Sequence, residues 1–376
     1  MTFQLPQETL RDVLTFLNVN ELKVISLVNR TFHHLSESVA QMLIRSIISK
    51  YLFDDILVGV HVNQSWKSVL WMLTTRVIMF GGGHGNVTKE FCFHPHHRMW
   101  EDKYVKLDNP ELLFKLVWFK GLVFALNSRV GSSEECNTLQ KYNMLTNRWS
   151  PGISLPRRLR GASVAVLDES LFVIGGYDKE LNRESSAVFV MNGRSSESCV
   201  WASAPPLHIA RSGHSSTIYR GRIIVAGGRP AGDGDHLHDV EAYDPITRSW
   251  ELMPPMIKSR YLLTLVIVKD CLYAVGGCEG GSIERYDPRH LRWDYVTRIR
   301  GKRNYSCAVA IDSTIFIFGG VSERYEFQPT WDSYNTITCT WESELSGDDA
   351  ERRRLPWEKF TYGQCIMCPP MEITWT

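Results

Sequence analysis

Short apolar runs closed by paired glycines punctuate this chain: Val77-Ile-Met-Phe-Gly-Gly82, Ile223-Ile-Val-Ala-Gly-Gly228, Leu272-Tyr-Ala-Val-Gly-Gly277 and Ile315-Phe-Ile-Phe-Gly-Gly320. Before each of the last three runs lies another apolar stretch, separated from it by a short polar turn, as in Cys307-Ala-Val-Ala-Ile311, Asp-Ser-Thr, Ile315. Runs rich in Val, Ile, Tyr and Phe with turn residues between them predict strand-turn-strand units. Downstream come Tyr243-Asp-Pro-Ile-Thr-Arg-Ser-Trp250 and Tyr286-Asp-Pro-Arg-His-Leu-Arg-Trp293. The tryptophans Trp100, Trp149, Trp201, Trp250, Trp293 and Trp341 stand 49, 52, 49, 43 and 48 residues apart. Phe93, Tyr142, Tyr243, Tyr286 and Tyr334 each precede theirs by seven; before Trp201 the nearest aromatic is Phe189, twelve away, as if 193–198 were inserted. A further marker, Arg211, Arg260 or Arg303, falls 16 residues before the first glycine of its pair. Periods of this length mark a repeat protein. Each unit predicts two inner strands, a third bearing the aromatic and a fourth starting at the tryptophan.

The first fifty residues have another period. Leu10, Val13, Leu14 and Leu17 draw one stripe along a helix. Pro6 stands where a helix tolerates proline, and Asn18 and Asn20 can cap the next helix through Glu21–Val28. A third helix would carry Phe32 and Leu35, and Val39 to Leu52 reads as a fourth. Three such helices cannot bury all their apolar side chains against one another, so a partner or the following domain must cover the rest.

The residues Leu5-Pro-Gln-Glu, Glu21-Leu22, Ser26-Leu-Val-Asn-Arg30 and Phe32-His-His-Leu35 resemble the F-box pattern, with Phe32 where tryptophan is commoner. The resemblance implies docking to a Skp1-like adaptor of a cullin ligase core through Leu5, Pro6, Leu10, Leu14, Leu17 and Leu27. Residues 65 to about 345 resemble kelch repeats, in which an apolar run, Gly-Gly, and a Tyr and Trp separated by six residues recur. The fold expected is therefore mainly β, a six-bladed kelch-type β-propeller preceded by a small all-α F-box-like domain. The expected boundaries are 1–50 for the helical domain, 51–64 for a linker and 65–376 for the propeller. Unit two has Leu122-Val-Phe-Ala-Leu-Asn127 in place of a glycine pair. For unit one, both Ser68 to Leu73 and the C-terminal Phe360 to Cys368 qualify as the innermost strand, and the pattern does not choose between them.

Composition narrows the function classes. A net charge of +1 implies neither nucleic acid nor an anionic membrane as partner. No apolar run approaches a membrane span, and Met1-Thr-Phe-Gln-Leu-Pro has no basic-then-apolar leader pattern. Nine scattered cysteines suit reduced thiols, hence an expected cytoplasmic or nuclear location. His94, His96 and His97 lack accompanying ligands at metal spacing, Cys365 and Cys368 form a lone pair, and Gly81–Gly85 lacks the Lys-Ser/Thr of a phosphate loop. No cofactor, metal or catalytic residue is therefore expected.

What remains is a binding surface for an unknown protein substrate. Arg211, Arg260 and Arg303 either grip an anionic peptide or brace neighbouring blades through carbonyls. The positions two further on, Gly213, Leu262 and Tyr305, are expected in the central funnel, and the resemblance to kelch propellers implies that Tyr177, Arg229 and Cys278, which follow the glycine pairs, face its mouth. The unit-specific loop Pro230–His238 is a place for specificity. The expected role is substrate recognition for a ubiquitin ligase; the alternatives are a cytoskeletal-type scaffold and a propeller enzyme acting on sugars.

Overall fold

The computed structural model describes residues 76–81, 89–94, 99–103, 115–119, 122–126, 138–143, 148–192, 200–277, 281–303, 306–322, 326–342 and 364–368. The expected F-box helices, Ser68 to Leu73, Cys278 and Tyr305 lie outside these residues. Among the described residues the regular structure is β, save for one short 3-10 turn at Arg300–Lys302. No helix there is long and apolar enough to cross a membrane.

Among the described residues six four-stranded sheets follow one another along the chain, the second to the sixth of them antiparallel. The second comprises Lys115–Phe119, Leu122–Leu126, Thr138–Asn143 and Arg148–Ser154, and the third Ser163–Leu167, Ser170–Ile174, Val188–Asn192 and Trp201–Ala204. The fourth has Ser215–Tyr219, Arg222–Ala226, Val240–Asp244 and Ser249–Met253. The fifth has Thr264–Val268, Cys271–Val275, Ser282–Asp287 and Arg292–Arg298, and the sixth Cys307–Ile311, Thr314–Phe318, Trp331–Asn335 and Thr340–Trp341. From the second to the sixth sheet, the first strand of each lies beside the first strand of the next. In the first sheet, Arg76–Gly81, Lys89–His94 and Met99–Lys103 are joined by the C-terminal strand Gln364–Cys368, which pairs beside Arg76–Gly81. Gln364–Cys368 falls within one of the two candidates for that position; the other, Ser68 to Leu73, lies outside the described residues.

Local chemistry explains the meander. The first two strands of sheets three to five are joined by two-residue turns, Asp168-Glu169, Arg220-Gly221 and Lys269-Asp270, with positive φ at both positions. This geometry matches the right-handed twist of a hairpin. The glycine pairs also have positive φ, for example +67° at Gly227 and +104° at Gly228. There the chain leaves the second strand and approaches the next unit, with Gly228 N–H donating to the Arg260 carbonyl at 2.7 Å.

The aromatic and tryptophan are direct cross-strand partners in four sheets: Tyr142 with Trp149, Tyr243 with Trp250, Tyr286 with Trp293 and Tyr334 with Trp341. In the third sheet the residue opposite Trp201 is Met191, and Phe189 stands two positions further along. Counting aromatics back from the tryptophan therefore selects the wrong residue in that unit. Tryptophan also stitches units together: the indole N–H of Trp250 donates to the Pro205 carbonyl at 2.8 Å and that of Trp293 to Pro254 at 2.9 Å. Each proline carbonyl lies four residues past the preceding unit's tryptophan. The buried clusters run between neighbouring sheets, as where Ile174 and Val188 pack with Ile223, Tyr243 and Trp250.

Candidate functional site

The three repeated arginines are buried. Arg211 donates through Nη1 to the carbonyls of Gly227 and Asp239 and through Nη2 to Glu241 at 2.7 Å. Arg260 does the same with Gly276, Ser282 and Glu284, the last at 2.8 Å, and Arg303 with Gly319, Thr330 and Asp332. The carboxylates in turn hold backbone: Glu241 accepts the amides of His208 and Ile209, Glu284 those of Ile257 and Lys258. Burial draws the Arg211 guanidinium below its ordinary value, and Glu241 beside it pulls the other way. A charge taken out of water persists when paired and fully hydrogen-bonded. The 16-residue spacing brings each arginine back onto its own glycine carbonyl. These side chains are internal braces with no face toward a ligand. That corrects the expectation that Arg211, Arg260 and Arg303 grip a substrate.

The third unit shows the same device emptied of charge. Leu159 stands 16 residues before Gly175, and Phe189 stands where the others have Glu241, Glu284 and Asp332. Both are buried in one apolar cluster. Arginine and acid have been replaced together.

Positions one and two beyond the braces do reach an open site. A cavity of about 480 Å³ is lined by Arg160 and Gly161 from the third unit, Ser212 and Gly213 from the fourth, and Tyr261 and Leu262 from the fifth. Tyr177, Arg229 and the tip of the 230–238 loop, at Gly232 and Asp233, complete much of the wall. The frame is backbone. Gly213 N–H donates to the Gly161 carbonyl and Leu262 N–H to the Gly213 carbonyl, both at 2.8 Å, and all three residues have positive φ. At Gly213 a Cβ would lie 2.2 Å from the Tyr261 ring, so a side chain there would have to displace that ring.

Two small sheets supply several of the lining residues. Tyr177 pairs across strands with both Arg160 and Glu184, and Ser212 pairs with Arg229. The Tyr177 hydroxyl donates to Asn182 Oδ1 at 2.5 Å. Glu184, only 8% exposed, accepts from Ser212 Oγ at 3.3 Å, and Arg229 Nε lies 4.0 Å from it. From the loop, His236 stacks on Tyr261 with centroids 4.9 Å apart. Burial, and then Arg229, lower the His236 pKa below its ordinary value, against Asp235.

Of the residues expected at the mouth, Tyr177, Arg229, Gly213 and Leu262 line this cavity. Arg160, Arg183, Glu184 and Tyr261 also line it and were not anticipated. Arg160 and Tyr261 had a signal in the sequence, since each directly follows the position 16 before a glycine pair. Leu5, Pro6, Leu10, Leu14, Leu17, Leu27 and Tyr305 lie outside the described residues. Among the described residues no three His, Cys, Asp or Glu side chains converge as metal ligands do.

Comparison with known proteins accounts for this architecture. The KLHDC2/KLHL20/DRC7 Kelch-repeats domain matches residues 65–277 and 113–320, over half of the chain. The chain belongs to the kelch-repeat family. Ahead of its kelch repeats, residues 3–41 match the F-box domain. Similar curated proteins include Kelch-like protein 25 of Xenopus tropicalis, 29% identical over 51% of this chain and 34% of its own length. Kelch-like protein 41a of Danio rerio is 29% identical over 46% of the chain and 28% of its length. Human Kelch-like protein 23 is 25% identical over 49% of the chain and 34% of its length. The chain thus spans about a third of the length of these kelch-like relatives. An F-box followed by kelch repeats supports a substrate adaptor or interaction scaffold.

Proposed function

We propose that this kelch-repeat chain is the substrate-recognition adaptor of a Skp1–cullin–F-box type ubiquitin ligase. In this reading the N-terminal helices dock to a Skp1-like adaptor through Leu5, Pro6, Leu10, Leu14, Leu17 and Leu27, while the kelch sheets close as a six-bladed propeller that holds the protein target. The observation that carries it is the union in one chain of an F-box match at residues 3–41 and a kelch array with an open cavity at its mouth. The chain itself performs no chemistry; it raises the target's concentration near the ligase. The chain works in the cytoplasm or nucleus, where such ligases meet their targets.

The test is co-purification of the full chain with a Skp1-type adaptor. Leu10→Asp and Leu14→Asp should each abolish it, because burying an unpaired carboxylate in an apolar interface costs several kcal/mol. Association indifferent to both changes, or none with the native chain, overturns the ligase role and leaves a kelch scaffold.

A further inference from the structure

We propose that Ser150 is a phosphorylation site for a proline-directed protein kinase, with Lys141 on the neighbouring strand as the cation that receives the phosphate. The proposal concerns the outer edge of the second sheet and stands apart from the ligase role. Its first support is in the sequence: of the 16 prolines, Pro151 alone follows a serine or threonine. A kinase selects proline after its target hydroxyl when its pocket leaves the N–H of any other residue there without an acceptor, since proline has no N–H to satisfy. Such a kinase meets one candidate in this sequence.

The structure supplies the rest. Ser150 lies on Arg148–Ser154, the outermost strand of the second sheet, which among the described residues pairs on one side only, with Thr138–Asn143. Its side chain is exposed. The hydroxyl donates to the Lys141 carbonyl at 3.4 Å, a long hydrogen bond that is easily released. The ladder breaks just beyond. Ser150 stands opposite Lys141 and Ile153 opposite Leu139, so Pro151 and Gly152 together face Gln140 in a bulge. A Cβ on Gly152 would lie 1.1 Å from the Leu139 carbonyl oxygen, so the bulge depends on glycine at that point. At a bulge on an edge strand the missing proline N–H costs the sheet no bond. A kinase cleft takes its substrate as an extended segment. This strand is already extended, is held from one side and has an interrupted ladder beside the target residue, so local opening presents Ser150 without unfolding the unit.

In the transfer the bond from Ser150 Oγ to the γ-phosphorus of ATP forms as the bond from that phosphorus to its bridging oxygen breaks. ADP leaves, and the hydroxyl proton passes to the kinase's catalytic carboxylate. The product carries about −1.5 to −2 charge at neutral pH. Directly opposite residues of an antiparallel pair hold their Cβ atoms about 4.5–5.5 Å apart, and opposite charges placed so attract. Lys141 is that opposite residue, so the phosphate gains a countercharge where it forms. The named wall of the cavity comes from the third to fifth units, so the mark alters the outer surface and leaves the mouth as it is.

The purified full chain is incubated with a recombinant proline-directed kinase and ATP beside a synthetic peptide of residues 144–157, and sites are mapped by tandem mass spectrometry. Phosphate should appear at Ser150 in both, and Ser150→Ala should remove it. Pro151→Ala should slow it about tenfold in the chain and, where folding plays no part, in the peptide. By phosphorus NMR the phosphate on the folded chain should titrate below its usual value of about 6, and Lys141→Ala should return it there. Phosphate on the peptide but not on the folded chain, only at other residues, or on neither overturns the site. So does modification that comes with loss of the β circular-dichroism signal, because the hydroxyl is then reached only by unfolding. Equal rates with and without Pro151 in the peptide overturn the kinase class, and a titration unmoved by Lys141→Ala overturns the role of Lys141. No Skp1-type adaptor is present, so failure here is separate from failure of the ligase role.

Discussion

Removing Arg260 alone would leave the Glu284 carboxylate fully buried, still holding the Ile257 and Lys258 amides but without its countercharge. Breaking one side of a buried pair typically costs about 3–5 kcal/mol, whereas replacing both sides by apolar groups is often near neutral. The third unit displays that apolar solution in Leu159 and Phe189. Arg260→Leu should therefore lower the urea midpoint strongly, and adding Glu284→Phe should recover a large part of the loss. Additive losses in this double-mutant cycle would show that the two side chains act independently. His214 makes a second residue-scale prediction. It is fully buried, bonded to Ser163 Oγ at 2.8 Å, and its pKa is held well below 6.5, first by burial and then by Arg211 and Lys115. The unfolded chain binds a proton there at a pH where the folded chain does not. The stability contributed by neutral His214 is present above about pH 6.5 and is lost as pH falls below that, by at most about 1.4 kcal/mol per pH unit. Urea unfolding at stepped pH checks this: His214→Asn should flatten the slope below 6.5, and an unchanged slope would assign it to other groups.

Strand units were legible from the sequence because each carries several independent marks at fixed offsets: apolar runs, glycine pairs and tryptophans. Where one mark was missing, legibility failed locally. Met191 opposite Trp201 went unseen because methionine fills the same space without an aromatic ring. The arginines were seen as a pattern, but their partners were not, because Glu241, Glu284 and Asp332 pair with them only through the register of the third strand. The cavity was half legible. Tyr177 and Arg229 follow the glycine pairs in sequence, while Glu184 comes in on a separate rim strand that no repeat predicts. Glycines allow a test at this scale. Gly221 and Gly227 have φ of +73° and +67°, yet a Cβ meets nothing within 4 Å at Gly221 and the Arg260 carbonyl oxygen at 2.5 Å at Gly227. Gly221→Ala should cost about 1 kcal/mol, the price of left-handed backbone alone. Gly227→Ala should cost about 2–4 kcal/mol, since the next unit's backbone must move. Equal losses in thermal unfolding would mean that the glycine pair serves backbone conformation only, with no role in spacing the units.

In a repeat array each unit buries its faces against its neighbours, so a terminal unit lacking a neighbour or a strand is the weak point. Here the first sheet is completed by Gln364–Cys368, drawn from nearly three hundred residues away in sequence. Without that strand, Arg76–Gly81 would become a sheet edge with unpaired N–H and C=O groups, open to pairing with other chains. Truncation after Gly363 should therefore do more than trim the molecule. The melting temperature should fall by several degrees, roughly 2–4 °C for each kcal/mol lost in a chain of this size, and the truncated chain should form concentration-dependent oligomers. Adding the 364–376 segment back as a peptide should restore both properties. The cavity is built from the third to the fifth units, remote in sequence from this junction, and the contacts that shape it are local. Target binding at the cavity, if the kelch array is the recognition module, should thus survive in the truncated chain at low temperature while its thermal stability does not. Loss of both together, with the sheets still intact by circular dichroism, would mean that the mouth depends on the C-terminal strand as well as on its own three units.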